Sequence, residues 1–414
     1  MKEKTVTIAG AGFSGLTTAF YLVRAGFRVR IVEARPMAGG LLQTVEDEFA
    51  RTETAANGIL NSAHVEDLFR TIGLPIQPTL KESKKRFIFR DGVPRRWPFS
   101  IAGSFRILFF LFHYFLAKQS LAPREGESVQ TWGHRVLGRE VTTYGLEAAL
   151  QGIYAGDPVR MSASLIFRRM FAAGEKKRAR PSIRGTVSAP NGMGELIAAL
   201  RTYLEQKGVQ FDFEHRLALE SPLREPLVVA TSARAAAELL APIDPERARA
   251  ISSVELLPII STTVVFDTPT KRAQGFGCLF PPAENKPMLG VLMNNFIFPG
   301  RGKKGFSETW IMGGASQRAA EVLSKNDQEI LNVIEKQRGE CFLSVSERLS
   351  ARVTRWPAAL PHYTVDLEKA LPIIRQNRQN VFLIGNYTGE IGLSRILEAA
   401  EKTAQQISAE GEWS

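Results

Sequence analysis

The stretch from Thr5 to Glu33 limits the possible folds more than any other part of this chain. Thr5-Val6-Thr7-Ile8-Ala9 is a short β-branched run suited to a buried parallel strand. It leads into Gly10-Ala11-Gly12-Phe13-Ser14-Gly15. Leu16, Ala19, Phe20 and Val23 then recur at helical spacing, and Gly26 stands where a C-capping glycine belongs. A second alternating run over 28–32 ends at Glu33. Each part has a physical role. Gly10 permits a tight turn, Gly12 lets the backbone approach a pyrophosphate, and Gly15 lets helix and strand pack closely. The pyrophosphate then meets unpaired N–H groups at the positive end of a helix dipole. Glu33 is placed to bind the ribose hydroxyls, and its charge repels a 2′-phosphate. A glycine turn alone is a weak signal, but the complete unit indicates a Rossmann-type dinucleotide site.

A second unit of the same kind lies near the other end. Residues 381–384 form an apolar run followed by Gly385-Asn386-Tyr387-Thr388-Gly389, then a helical pattern over 393–404. Alone, this is a strand–turn–helix connection common in α/β proteins. Combined with the N-terminal unit, it reads as the other wall of one cofactor site, with backbone N–H groups turned toward negative charge.

Glu33-Ala34-Arg35 followed by Gly39-Gly40-Leu41-Leu42-Gln43-Thr44 resembles the extended fingerprint of the flavin amine oxidase superfamily. In that resemblance the glycine pair admits the rest of an FAD, with Arg35 beside its phosphates. Three further segments narrow it. Gln151-Gly152-Ile153-Tyr154-Ala155-Gly156-Asp157-Pro158, the most specific of them, is similar to a stretch of the oxygen-dependent protoporphyrinogen oxidases. Arg355-Trp356-Pro357-Ala358-Ala359-Leu360-Pro361-His362-Tyr363 and Gly385-Asn386-Tyr387 resemble two more, in the same order along the chain. The resemblance implies oxidation of protoporphyrinogen IX to protoporphyrin IX in haem biosynthesis, with six electrons passing through FAD to dioxygen. It carries over to the FAD the residues Gly10, Ala11, Gly12, Phe13, Ser14, Gly15, Glu33, Ala34, Arg35, Gly39, Gly40 and Leu41. Asn57, Gly58, Leu217, Trp356, Gly385, Asn386, Ile391, Gly392 and Leu393 follow by the same match. Arg95 is implied as the partner of a substrate propionate, and Leu360 as a substrate contact. The chain departs from the family pattern at Ala55-Ala56, where Gly-Pro is usual, at His362 in place of Gln, and at Val365-Asp366 in place of Gly-His.

Hydride removal by a flavin needs positioning and exclusion of water more than a dedicated acid–base pair. None is evident: there is no nucleophile elbow, and the five histidines and two cysteines show no metal-ligand spacing. His362 reads either as a flavin neighbour or as a structural histidine. Cys278 and Cys341 cannot frame a disulfide-stapled fold, which favours a reducing compartment. Lys and Arg outnumber Asp and Glu by 53 to 42, which suits anionic partners, yet no nucleic-acid-binding signature accompanies the charge.

The expected fold is α/β: a Rossmann-type FAD-binding domain from residues 1–75, 191–255 and 355–414, a β-rich substrate domain from 76–92 and 256–354, and a helical, membrane-associating segment at 93–190. The apolar run at 107–117 falls short of the about 20 residues that cross a bilayer. It reads equally as an interfacial helix, flanked by Arg95, Arg96, Arg106 and Lys118, or as a buried one. Arg168-Arg169 and Lys176-Lys177-Arg178 form a basic stretch that is a solvated face or a lipid contact. The partners expected are a porphyrinogen and dioxygen, with a homodimer as a candidate assembly. The location expected is cytoplasmic, against the inner face of the cell membrane. An amine oxidase, a carotenoid desaturase and a non-catalytic porphyrin- or flavin-binding protein remain open alternatives.

Overall fold

The computed structural model describes residues 4–172, 180–219, 223 and 225–410. Lys176, Lys177 and Arg178 of the basic stretch lie outside the described residues. Two sheets organise the chain. The first has five parallel strands in the order Gln210–Asp212, Arg28–Val32, Thr5–Ala9, Leu227–Val229, Val381–Leu383. Its apolar strands are sandwiched by helices, as a parallel sheet requires. Leu16, Phe20 and Leu22 of the Phe13–Arg24 helix pack with Leu196 and Leu200 of Met193–Gln206 and with Leu397 and Ala404 of Leu393–Ala409. The sequence suggests a strand over 209–219. Pairing stops at Asp212, because Glu214 takes a left-handed turn (φ 59°) and redirects the chain.

The second sheet has seven strands in the order Arg348–Pro361, Leu256–Phe266, Phe306–Gly313, Met288–Met293, Gly277–Leu279, Arg86–Arg90, Val93–Arg95. All pairings are antiparallel except that between Gly277–Leu279 and Arg86–Arg90. Ile330, Ile334 and Phe342 of the Asp327–Phe342 helix pack with Ile260, Val264 and Trp310 of this sheet. The buried Arg338 Nε donates to Glu308 at 2.9 Å, which stitches helix to sheet. Two expected boundaries shift. Residues 355–361 belong to the second sheet, since Arg348–Pro361 is one continuous strand against Leu256–Phe266. Val93–Arg95 likewise forms the far edge of that sheet, paired with Arg86–Arg90.

Between these strands and Pro181 the described chain is mostly helical. Its longest helix, Ile101–Ala117, begins six residues before the apolar run at 107–117 and continues as a 3₁₀ turn over Lys118–Leu121. The 21 residues Ile101–Leu121 are long and apolar enough to cross a membrane by length and composition, which corrects the shorter estimate. Nor is this helix a core element, because Gly103 is its one buried residue. Half-buried Phe110 and Tyr114 pack with Trp132 and Phe171, while Phe105, Leu108, Phe109, Phe112, Phe115 and Leu116 face outward. Ser100 caps the helix by accepting from the Gly103 N–H at 3.1 Å. Glu140 accepts from the Ser100 hydroxyl (2.6 Å) and from Arg90 (2.6 Å), which hold its carboxyl down to about 2.

Candidate functional site

Ala9, Val229 and Leu383 lie in register on adjacent strands, so the turns that follow them open at one edge of the first sheet. Strand order reverses at Thr5–Ala9, the switch point where open α/β sheets bind ligands. Gly10 has φ 103°, and its N–H donates to Val32 O at 2.8 Å. A Cβ on Gly10 would stand 2.9 Å from the Ala230 carbonyl oxygen, and one on Gly385 3.8 Å from that of Thr231. The two glycine turns, some 370 residues apart in sequence, are therefore separated only by the turn at Ala230-Thr231. That is close enough to wall one dinucleotide.

Gly15 cannot carry a side chain, because a Cβ there would overlap the Gly10 carbonyl oxygen. Gly12 differs: its Cβ would meet nothing nearer than the Gly40 Cα at 4.0 Å. Space is thus kept at Gly12 with no internal packing demand, as a backbone approached by a pyrophosphate requires. Gly39 (φ 117°) donates to Ala11 O at 2.8 Å, and Arg35 Nη1 donates to Gly40 O at 3.2 Å. These bonds close the second glycine turn over the first. Glu33 accepts from Ala11 N at 2.7 Å and Arg35 N at 2.9 Å. The chain after Asp212 runs beside this acid, with His215 N donating to Glu33 O at 3.1 Å. Leu217 follows, half-buried.

The second wall is built by the Gly385-Asn386-Tyr387 turn. Asn386 O accepts from the Tyr363 hydroxyl at 2.7 Å, and Asn386 Nδ2 donates to Ala359 O at 3.3 Å. Ile391 packs half-buried beside it, and Gly392 (φ 89°) opens the Leu393–Ala409 helix with nothing within 4 Å of its Cβ position. Val365 and Asp366 start a separate helix capped by Thr364.

Between the walls lies the segment from Thr54 to Gly58. Thr54 O accepts from Trp356 Nε1 at 2.9 Å, and Thr54 Oγ1 donates to Leu41 O at 2.8 Å. Ala55 and Ala56 pack on the first core, and a Cβ on Gly58 would stand 2.7 Å from Val187 O. The Tyr154–Pro158 segment is a turn: Ala155 is left-handed (φ 52°), and its carbonyl accepts from Ala315 N at 2.8 Å. His362 is buried beneath it. Its Nε2 accepts the Asp157 N–H at 3.0 Å, so the proton sits on Nδ1, which meets Glu255 Oε2 at 3.3 Å. Burial lowers the His362 pKa against the opposing pull of Glu255. With both ring nitrogens engaged, His362 is a structural clamp. Tyr154 and Tyr363 meet edge to face at 5.1 Å, and burial raises both phenols, which leaves them protonated at neutral pH.

Not every candidate joins this site. Leu360 lies on Arg348–Pro361 and Arg95 on Val93–Arg95, the opposite edges of the seven-stranded sheet. At about 4.8 Å per strand they are about 29 Å apart along the sheet. Arg95 contacts Asp91 Oδ2 at 3.5 Å and donates to Arg90 O at 3.3 Å.

The flavin-containing amine oxidoreductase family model matches residues 13–218 and 226–408. The chain belongs to this family. As a flavin-containing amine oxidoreductase it is an FAD-dependent oxidoreductase, and the open Gly12 backbone, the Glu33 carboxylate and the bare N-terminus at Gly392 fit that cofactor. Among its relatives, the chloroplastic protoporphyrinogen oxidase of Nicotiana tabacum is 24% identical over 475 residues, covering 98% of this chain and 86% of that protein. Protoporphyrinogen oxidase of Bos taurus is 23% identical over 471 residues, covering 98% of both. A redesigned triple mutant of putrescine oxidase superposes with TM-score 0.77 at 14% identity over 99% of each chain. Cyclohexylamine oxidase of Brevibacterium oxydans does so with TM-score 0.71 at 17% over 99% of each. At these identities the superpositions establish the fold alone.

Sequence reasoning missed Thr231, Glu53 and Arg301 as builders of the site. Thr231 acts through its backbone carbonyl, which leaves no local pattern. Glu53 and Arg301 are an ion pair between distant segments, and a lone charge in a loop reads as solvated.

Proposed function

We propose that this flavin-containing amine oxidoreductase oxidises protoporphyrinogen IX to protoporphyrin IX with dioxygen as the acceptor. The observation that carries the reading is the convergence of the three protoporphyrinogen-oxidase-like segments. His362 accepts from Asp157 N, Tyr363 donates to Asn386 O, and Trp356 donates to Thr54 O. Three stretches scattered over more than 200 residues thus form one continuous wall, joined to the glycine turns through Thr54 and Leu41. The named relatives support the same substrate.

When bound, FAD supplies the hydride acceptor. The chain's own residues do the rest. Gly10–Gly15 and Gly39–Gly40 receive the pyrophosphate, Glu33 the ribose and Leu217 the adenine side. Asn57, Trp356, Asn386 and Ile391–Leu393 border the reactive end. Leu360 adds apolar surface for the macrocycle. Arg95, held by Asp91 at the opposite edge of the sheet from Leu360, does not reach the same macrocycle. With no acid–base pair among the residues of the wall, rate comes from orientation and exclusion of water.

The outward apolar face of Ile101–Ala117 supports a monotopic seat on the cytoplasmic side of a membrane, where an apolar substrate concentrates. The deciding experiment mixes the purified, flavin-loaded protein with anaerobically prepared protoporphyrinogen IX in air. A fast rise in porphyrin fluorescence with peroxide release is expected. Turnover of putrescine or cyclohexylamine with no porphyrin signal overturns the substrate. An Arg95→Ala variant is accordingly expected to keep its KM for the porphyrinogen; a raised KM would return Arg95 to the substrate.

A further inference from the structure

Arg301 stands in the loop between two parts of the second sheet, yet its guanidinium is buried in the first unit, with 4% of the side chain exposed. Its fork reaches three separate segments: Nη1 pairs with Glu53, and Nη2 donates to Ser188 Oγ at 3.0 Å and to Asn57 O at 3.3 Å. Its own carbonyl accepts from Arg51 N at 2.8 Å, so the residue is held at both ends. Glu53 is tied in turn to the cofactor-side elements. Its Oε1 accepts from Met193 N at 3.0 Å, the first residue of a helix, and its Oε2 accepts from Thr44 Oγ1 at 2.8 Å. Gly192 (φ 103°) makes room, since a Cβ there would stand 2.5 Å from Glu53 Oε1.

The consequence falls on Asn57. Thr54 is fastened to Leu41 and Gln43, beside the Gly39–Gly40 turn, and Arg301 takes the Asn57 carbonyl. The four-residue span is pinned at each end. Asn57 Nδ2 is buried with no acceptor among the described residues. A buried amide without a partner is costly, and here the pinned backbone cannot rotate to find one. An acceptor brought by a ligand relieves that cost.

We propose that Arg301 is a positioning residue for FAD, which fixes the Thr54–Gly58 segment so that the Asn57 amide meets an acceptor on the cofactor. This rests on the reading that Asn57 borders the flavin. Lysine cannot replace the fork, because a single ammonium does not span a carboxylate, a hydroxyl and a carbonyl on three segments.

The test titrates FAD into apoprotein of the wild type, Arg301→Gln and Arg301→Lys, with flavin fluorescence, the visible absorption band of the bound flavin, and apo and holo melting temperatures as readouts. We expect Arg301→Gln to raise the Kd for FAD at least tenfold, shift the absorption band and lower the holo melting temperature more than the apo one. Arg301→Lys keeps the charge beside Glu53; it is expected to fold and to weaken FAD binding severalfold with the same spectral shift. Variants that bind FAD within twofold of wild type, with an unchanged band and equal losses of apo and holo stability, show mere structural glue and overturn the proposal. Should Arg301→Gln not fold, Arg301→Lys alone decides between these outcomes. A wild type that binds no FAD overturns the site reading itself, and this inference with it.

Discussion

At the residue scale, the second and third glycines of the first fingerprint, Gly12 and Gly15, separate fold from function. A Cβ at Gly15 would collide with the Gly10 carbonyl, whereas one at Gly12 would point into open space toward Gly40. Gly15→Ala is expected to lower the apoprotein's stability by about 1–3 kcal/mol, the usual range for overpacking. Gly12→Ala should leave the apoprotein melting temperature within about a degree and still abolish saturable FAD binding. Equal thermal losses in the two variants would refute the distinction. His362 carries a second prediction. Its neutral form is the one the fold needs, because Nε2 accepts the Asp157 N–H. Its folded pKa is lowered, chiefly by burial. The unfolded chain therefore takes up the proton first, and stability is lost as pH falls below about 6.5, the ordinary imidazole value. Glu255, Arg160 and Asp157 also face the ring. His362→Gln, which keeps an acceptor without a titrating ring, should flatten the melting-temperature profile between pH 5 and 7. A profile as steep as wild type would place the acid sensitivity elsewhere.

At the scale of elements, the Ile101–Ala117 helix is the least self-explanatory part of the molecule. Its apolar pattern was legible as a run, but not its orientation. Which face is covered depends on Trp132 and Phe171, whose positions only the fold decides. Phe105, Phe109 and Phe112 share the outward face with more than half of each side chain exposed. Replacing all three by Ser should leave the melting temperature nearly unchanged, because none gives up core packing. It should also abolish co-sedimentation with phospholipid vesicles. If the triple variant still sediments with vesicles, the helix is not the lipid contact. The Tyr154–Pro158 segment makes the complementary point. Its sequence was the most specific sign of kinship, but the reason for it, a left-handed Ala155 and a Gly156 pressed against Met161 and His362, is visible only once the chain is folded.

For the whole molecule, the cofactor-binding unit and the seven-stranded unit are joined by polar links that include Arg301 to Glu53, Trp356 to Thr54 and Tyr363 to Asn386. Bound FAD stabilises the native state by mass action. At a free concentration 100 times its Kd the gain is about 2.7 kcal/mol. A single, upshifted melting transition is expected for the holoprotein in calorimetry; two transitions, of which only one responds to FAD, would show that the second sheet does not share the cofactor. The sequence by itself determined the Rossmann unit, because a strand, three glycines, a helix and an acid at those spacings act through local backbone geometry. It also determined that the far glycine turn follows a strand and precedes a helix. Tertiary structure alone decided that the two turns flank Ala230-Thr231, that Arg95 and Leu360 sit on opposite sheet edges, and that Arg301 leaves its own sheet to grip Glu53. Those outcomes depend on strand order and on burial of charge between distant segments, and neither quantity is encoded in any short stretch of residues.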